Sequence, residues 1–87
     1  MKTIYSRRFG LTVRVTHHAR DRMRERAITD AMLLDLIETG ECREKDRQRL
    51  WLFKAFPDRD DNLICAAVVL EKELVIKTVM IRWELVQ

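Results

Sequence analysis

Leu11 to Thr16 alternates Leu, Val, Val against Thr, Arg, Thr, with Gly10 just before it. That period of two predicts a short, half-exposed strand. Residues up to about Gly10 read as a flexible tail, leaving 11–87 as a single domain. From His17 to Ala27 the period changes. Ala19, Met23 and Ala27 recur every fourth position within an arginine-rich run, which predicts a first helix with a narrow apolar stripe. Thr29 and Asp30 offer a restart, as N-cap and as an acid at the positive end of the helix dipole. Met32, Leu33, Leu36 and Ile37 then share one face, and Gly40 supplies the stop, so a second helix is predicted from about Asp30 to Glu38.

After Gly40 the pattern turns to strands. Glu41 to Arg49 is polar and reads as a short strand or an irregular edge. Leu50 to Phe56 is rich in β-favouring residues and ends at Pro57. Asp58 to Asn62 reads as a hairpin loop, because Asp and Asn bond their own backbone in turns. Leu63 to Leu70 is nearly all apolar, as in a central strand covered on both faces. The turn Glu71-Lys72-Glu73 leads into a last strand, Val75 to Glu84. Simple alternation puts Val75, Val79, Ile81 and Trp83 on one face with Lys77, and Ile76, Thr78, Met80 and Arg82 on the other. The second, mixed set is expected on the open face. The order predicts an α+β domain: a short N-terminal strand, two helices on one face, and an antiparallel sheet of three to four further strands.

Composition sharpens this picture. The chain has 87 residues, 47% hydrophobic and 36% charged, enough for one core beneath an ionic surface and too apolar for a disordered chain. No apolar run reaches the roughly 18 residues of a membrane span, and no signal-peptide stretch follows Met1, so a soluble, cytoplasmic protein is expected. Cys42 and Cys65 have no metal-ligand spacing and are expected as reduced thiols. The net charge of +3 is unevenly spread. Residues 1–29 hold eight bases against two acids, a net +6, and residues 30–87 hold nine bases against twelve acids, a net −3. A polyanion or an acidic protein partner met by the N-terminal third is the implied contact.

The first helix carries the chemistry-bearing residues. His18, Arg22 and Arg26 follow each other at four-residue spacing, each about 40° round from the last, along one edge of the apolar stripe. Arginine forks suit phosphate, and histidine exchanges protons near neutral pH. The alternative is structural: arginines solvated or paired with Asp21 and Glu25, and a histidine at a helix start serving only as a cap. His17-His18 does not argue for a metal, since adjacent histidines point apart. No cofactor is expected. Trp51 and Trp83 are aromatics able to stack on bases or to pack a core.

His18-Ala19-x-x-Arg22-Met23-x-x-Arg26-x-Ile28, followed by a short apolar helix ending in Gly40-Glu41 and later by Val75-Ile76-Lys77-Thr78-Val79, resembles a small bacterial family of uncharacterised domains. That family carries an H-A-x-x-R-M-x-x-R-G-I signature and a closing V-I-T-V strand. It is similar in turn to the superfamily linking barnase, EndoU, colicin nucleases and the RelE/ParE toxins. The likeness spans about residues 11–81. Two departures stand out: Ala27 replaces the usual Gly, which implies a less sharp break between the helices, and Lys77 adds a cation before the threonine.

The resemblance implies a RelE/ParE-like fold and a metal-independent ribonuclease, often a toxin held by an antitoxin. Such a fold cleaves RNA through its own 2′-hydroxyl, using an acid, a base and cations for the phosphorane. His18 is then the candidate acid/base, Arg22 and Arg26 the phosphate clamps, and Thr78 a hydrogen-bond donor to phosphate. Arg20, Lys54, Lys77, Arg82 and Trp51 are the candidate nucleic-acid contacts. A second reading is a non-catalytic toxin or regulator of the same fold that grips an acidic protein. Plain nucleic-acid binding is a third. Sequence-specific DNA reading ranks below RNA contact, because Asp30, Asp35 and Glu38 on the second helix would repel the duplex. A homodimer is a further possible assembly, invited by an edge strand and an apolar open face.

Overall fold

The structure, a computed structural model of the chain, describes residues 4–56 and 63–81. Among the described residues, six strands and two helices follow the order β1 (Ile4–Ser6), β2 (Leu11–Val15), α1 (His17–Glu25), α2 (Asp30–Thr39), β3 (Glu41–Glu44), β4 (Arg49–Ala55), β5 (Leu63–Leu70) and β6 (Leu74–Ile81). The strands form one sheet in the order β1-β2-β6-β5-β4-β3. The α+β class and both helices follow the sequence pattern. The Asp58–Asn62 turn, Arg82 and Trp83 lie outside the described residues.

Two features depart from expectation. Ile4–Ser6 is a strand rather than part of a tail, paired antiparallel with β2 through Ile4↔Val13 and Ser6↔Leu11. The turn between them is closed by Gly10 N–H donating to Ser6 O at 2.8 Å, with Gly10 at a φ of 65° that its missing Cβ permits. The sheet is also mixed rather than antiparallel, because β2 pairs parallel with β6 from Val13↔Leu74 to Val15↔Ile76. A parallel neighbour requires a crossover, and here everything from α1 to β5 supplies it.

Each helix begins at a threonine. Thr16 Oγ1 accepts from Ala19 N at 3.1 Å and Thr29 Oγ1 from Met32 N at 3.1 Å, satisfying amides that the first turn leaves unpaired. Between the helices Ala27 adopts φ 53°, the left-handed region. The break is therefore sharp even without the family's glycine. Gly40 ends α2 for a packing reason: a Cβ there would stand 2.4 Å from Leu36 O and 3.0 Å from Phe53 O.

The core lies between the helices and one sheet face. Ala19 and Met23 of α1 and Leu33, Leu36 and Ile37 of α2 pack on Leu50, Leu52, Ala66, Ile76 and Val79. In β6 the simple alternation fails. Ala67 pairs with Thr78 but Val68 with Ile76, so Lys77 is an extra residue, a β-bulge. The bulge reverses the facing halfway along the strand. Leu74, Ile76 and Val79 face the helices, while Lys77 and Thr78 turn together to the opposite face. Val75, expected beside Val79, lies opposite it, and Ile76, expected on the open face, is fully buried.

Candidate functional site

α1 lies along β6 where β2 stops. Beyond Val15↔Ile76 the strand has no partner in β2, and the helix takes over. Thr16 N–H donates to Ile76 O at 3.2 Å, and its hydroxyl donates to Ile76 O at 2.9 Å. At the far end Arg26 Nη1 donates to Val79 O at 2.9 Å. Both termini of the helix thus satisfy carbonyls on the edge of β6 that β2 leaves behind.

This anchoring sorts the predicted helix residues. Arg26 is half-buried against Val79 O, a structural bond. Arg22 Nη1 meets Glu25 Oε2 at 2.8 Å, with both side chains at the surface. Arg20 pairs with Asp30 across the gap between the helices. His18 is exposed and, among the described residues, makes no hydrogen bond or ion pair. The helix cap is Thr16, so capping does not account for it. His17 Nε2 stands 3.6 Å from Asp21 Oδ2.

Other predicted contacts fall elsewhere. Lys54 lies on the helix side, where its Nζ donates to Asp35 Oδ2 at 2.9 Å and to Thr39 Oγ1 at 2.7 Å. The Asp35 carboxyl is held below its ordinary range, chiefly by that bond to Lys54. This lysine staples α2 to β4. Among the described residues, no group of three or more His, Cys, Asp or Glu is placed to hold a metal ion. No described helix is long and apolar enough to cross a membrane.

Trp51, Lys77 and Thr78 do come together, on the sheet face away from the helices. Arg43↔Trp51, Trp51↔Ala67 and Ala67↔Thr78 are successive pairs, so the four side chains form one row across β3, β4, β5 and β6. Beside that row a cleft of about 230 Å³ is lined by Lys45, Arg49, Trp51, Ala67, Val69 and Lys77, among others. No carboxylate lines it among the described residues. Arg49 is balanced by Asp46, whose carboxyl is pulled to about 2 mainly by the Arg49 guanidinium and by the Gln48 and Arg49 amides. Arg43, Lys45 and Lys77 have no acidic partner among the described residues. The sequence reading named Lys77 and Trp51 but missed Lys45 and Arg43, which only strand register brings to this row and cleft.

The N-terminal charge excess is largely spent inside the fold. Arg8 Nη1 donates to Ile37 O at 3.1 Å and Gly40 O at 2.6 Å, capping the end of α2, while Glu38 accepts from the Arg7 and Arg8 amides. Arg14 pairs with Glu73 at 3.3 Å and Arg24 with Asp21 at 3.8 Å.

The α1 motif and the closing strand fall within one match to known proteins. A family model described as "Domain of unknown function (DUF4258)" matches residues 15–81, from the last residue of β2 to the end of β6. No curated protein and no solved structure matches the chain. A match over well more than half of the sequence, spanning both helices and the strands that hold them, places the chain in the DUF4258 family, to which it belongs.

Proposed function

We propose that this protein is a toxin-like RNA-binding protein of RelE/ParE type that cleaves RNA without a metal, as part of a bacterial toxin–antitoxin system. The observation that carries the reading is His18. It stands exposed and, among the described residues, unpartnered one turn before Arg22, on a helix whose remaining arginines are occupied. In the reaction the RNA 2′-oxygen attacks the adjacent phosphorus, the bond to the 5′-oxygen breaks, and a 2′,3′-cyclic phosphate forms. One proton leaves the 2′-hydroxyl and one reaches the 5′-oxygen. His18 acts as the acid or base of this transfer, with water as its counterpart. Arg22 exchanges its surface pairing with Glu25 for the phosphate oxygens, a small cost for an exposed pair. Arg26, bound to Val79 O, supports the helix and is set aside as a clamp.

Incubation with total RNA or ribosomes in the presence of EDTA tests this. Cleavage leaving cyclic phosphate ends is expected, falling roughly 100-fold or more in His18→Ala and also in Arg22→Ala. Cleavage indifferent to both changes removes the site.

A second reading, a non-catalytic toxin or regulator that binds an acidic protein such as an antitoxin, is favoured by one feature: no described carboxylate or carbonyl orients His18. Capture of an acidic partner with no RNA affinity at moderate salt would select it.

A further inference from the structure

We propose that the sheet face opposite the helices holds a nucleotide of single-stranded RNA, its base in the cleft against Trp51 and its flanking phosphates on Lys45 and Lys77. The inference rests on the RNA reading above but uses a different surface from the His18 stripe.

Three observations converge on it. The cleft combines an aromatic wall with two exposed lysines; among the described residues those lysines have no acidic partner and no carboxylate lines the cleft. An apolar floor of Ala67 and Val69, both half-exposed, suits the flat face of a base, which any nucleobase presents. The bulge in β6 brings Thr78 to this face beside Lys77. Without the extra residue, alternation would send either Lys77 or Thr78 to the helix side, and the bulge delivers both to the cleft face. Thr78 and Arg43 lie in the same row as Trp51 and extend the polar contacts on either side. The acid on this face of β3 is Glu41, which pairs with Phe53 and stands in the next row. A polyanion with stackable bases fits this combination better than an acidic peptide, which would use the cations and leave the aromatic wall idle.

A short fluorescein-labelled oligouridylate bearing 2′-O-methyl groups is the probe, because it cannot undergo 2′-hydroxyl attack and so reports binding alone. Fluorescence anisotropy is read at about 50 and about 200 mM salt. Lys45→Ala/Lys77→Ala is expected to weaken binding at least about tenfold and to flatten the log–log salt dependence by roughly 0.7 per lysine removed. Both lysines are exposed, so the variant keeps its fold, which circular dichroism verifies. Trp51→Leu is expected to cost about another tenfold, whereas Arg7→Ala, in the turn between β1 and β2, binds as the parent does. Binding by the double variant equal to the parent's, or no binding by the parent, overturns the proposal. Displacement of the probe by a polyglutamate peptide at matched charge overturns it in favour of a protein ligand. The two readings fail separately: lysine-sensitive binding without cleavage removes the nuclease and keeps this site, and His18-dependent cleavage with lysine-indifferent binding does the reverse.

Discussion

The Arg26 guanidinium donates to the backbone carbonyl of Val79 across 2.9 Å, joining the last turn of α1 to the strand it flanks. The residue that the sequence motif offers as a phosphate clamp is thereby part of the scaffold, covering a carbonyl on the stretch of β6 that β2 does not reach. A charged donor to a carbonyl is worth about 1.5–3 kcal/mol when buried. Half-exposure reduces this to about 1 kcal/mol. Arg26→Ala is expected to lower Tm by roughly 4–8 °C, measured by thermal denaturation. A variant with unchanged Tm but lost RNA cleavage would return Arg26 to the clamp role.

Ala27 pays for its left-handed φ of 53°, where its Cβ crowds the carbonyl oxygen. Glycine relieves about 1 kcal/mol of that strain and loses part of it to the greater freedom of the unfolded chain. Ala27→Gly is expected to stabilise the fold by about 0.5 kcal/mol, and Ala27→Val to destabilise it by more than that. Urea denaturation of the three proteins orders them. A less stable glycine variant would contradict the strain argument.

The two cysteines differ in reactivity by position. Cys42 is exposed on β3, while Cys65 is fully buried in β5 with its thiol pushed up to about 12 by burial. A thiolate is the reacting form, so near neutral pH iodoacetamide should modify Cys42 in the folded protein and reach Cys65 only after denaturation. Mass spectrometry of the labelled peptides distinguishes the sites.

Asp46 closes the turn between β3 and β4 by accepting from the Gln48 and Arg49 amides and from the Arg49 side chain. Its folded pKa of about 2 lies below the ordinary 3.8. A depressed carboxylate contributes stability that is present above the ordinary value and disappears as pH falls through the folded one. Asp46→Asn should therefore be less stable than the parent near neutrality, with the gap closing between about pH 4 and pH 2. Denaturant midpoints measured across that range give the comparison. A gap that stays constant with pH would assign the loss to the turn's shape instead of to the charge.

Some of the site was legible along the chain. The four-residue recurrence of Ala19 and Met23 identified the buried side of α1, and hence the edge carrying His18, because helix geometry converts spacing directly into direction. Thr29 was legible as a cap for the same local reason. The left-handed turn at Ala27 was not, since an alanine gives no local signal for it and the packing of Met23 and Ile28 into one core overrides the preference.

The sequence by itself determined the α+β class, both helices, the main strands of the sheet and the uneven distribution of charge, all of which follow from local periodicity and counting. Tertiary structure alone decided which charges are spent. Arg8 caps α2, Arg20 and Arg22 find carboxylates, and Arg26 finds Val79 O, so most of the N-terminal excess goes into holding the fold. Lys45 and Lys77, 32 positions apart in the part of the chain that carries net negative charge, become neighbours of Trp51 with no acid to meet among the described residues. The physical reason is register. One extra residue in β6 changes which face every later side chain occupies, and no count along the chain records a bulge that only the pairing with β5 creates.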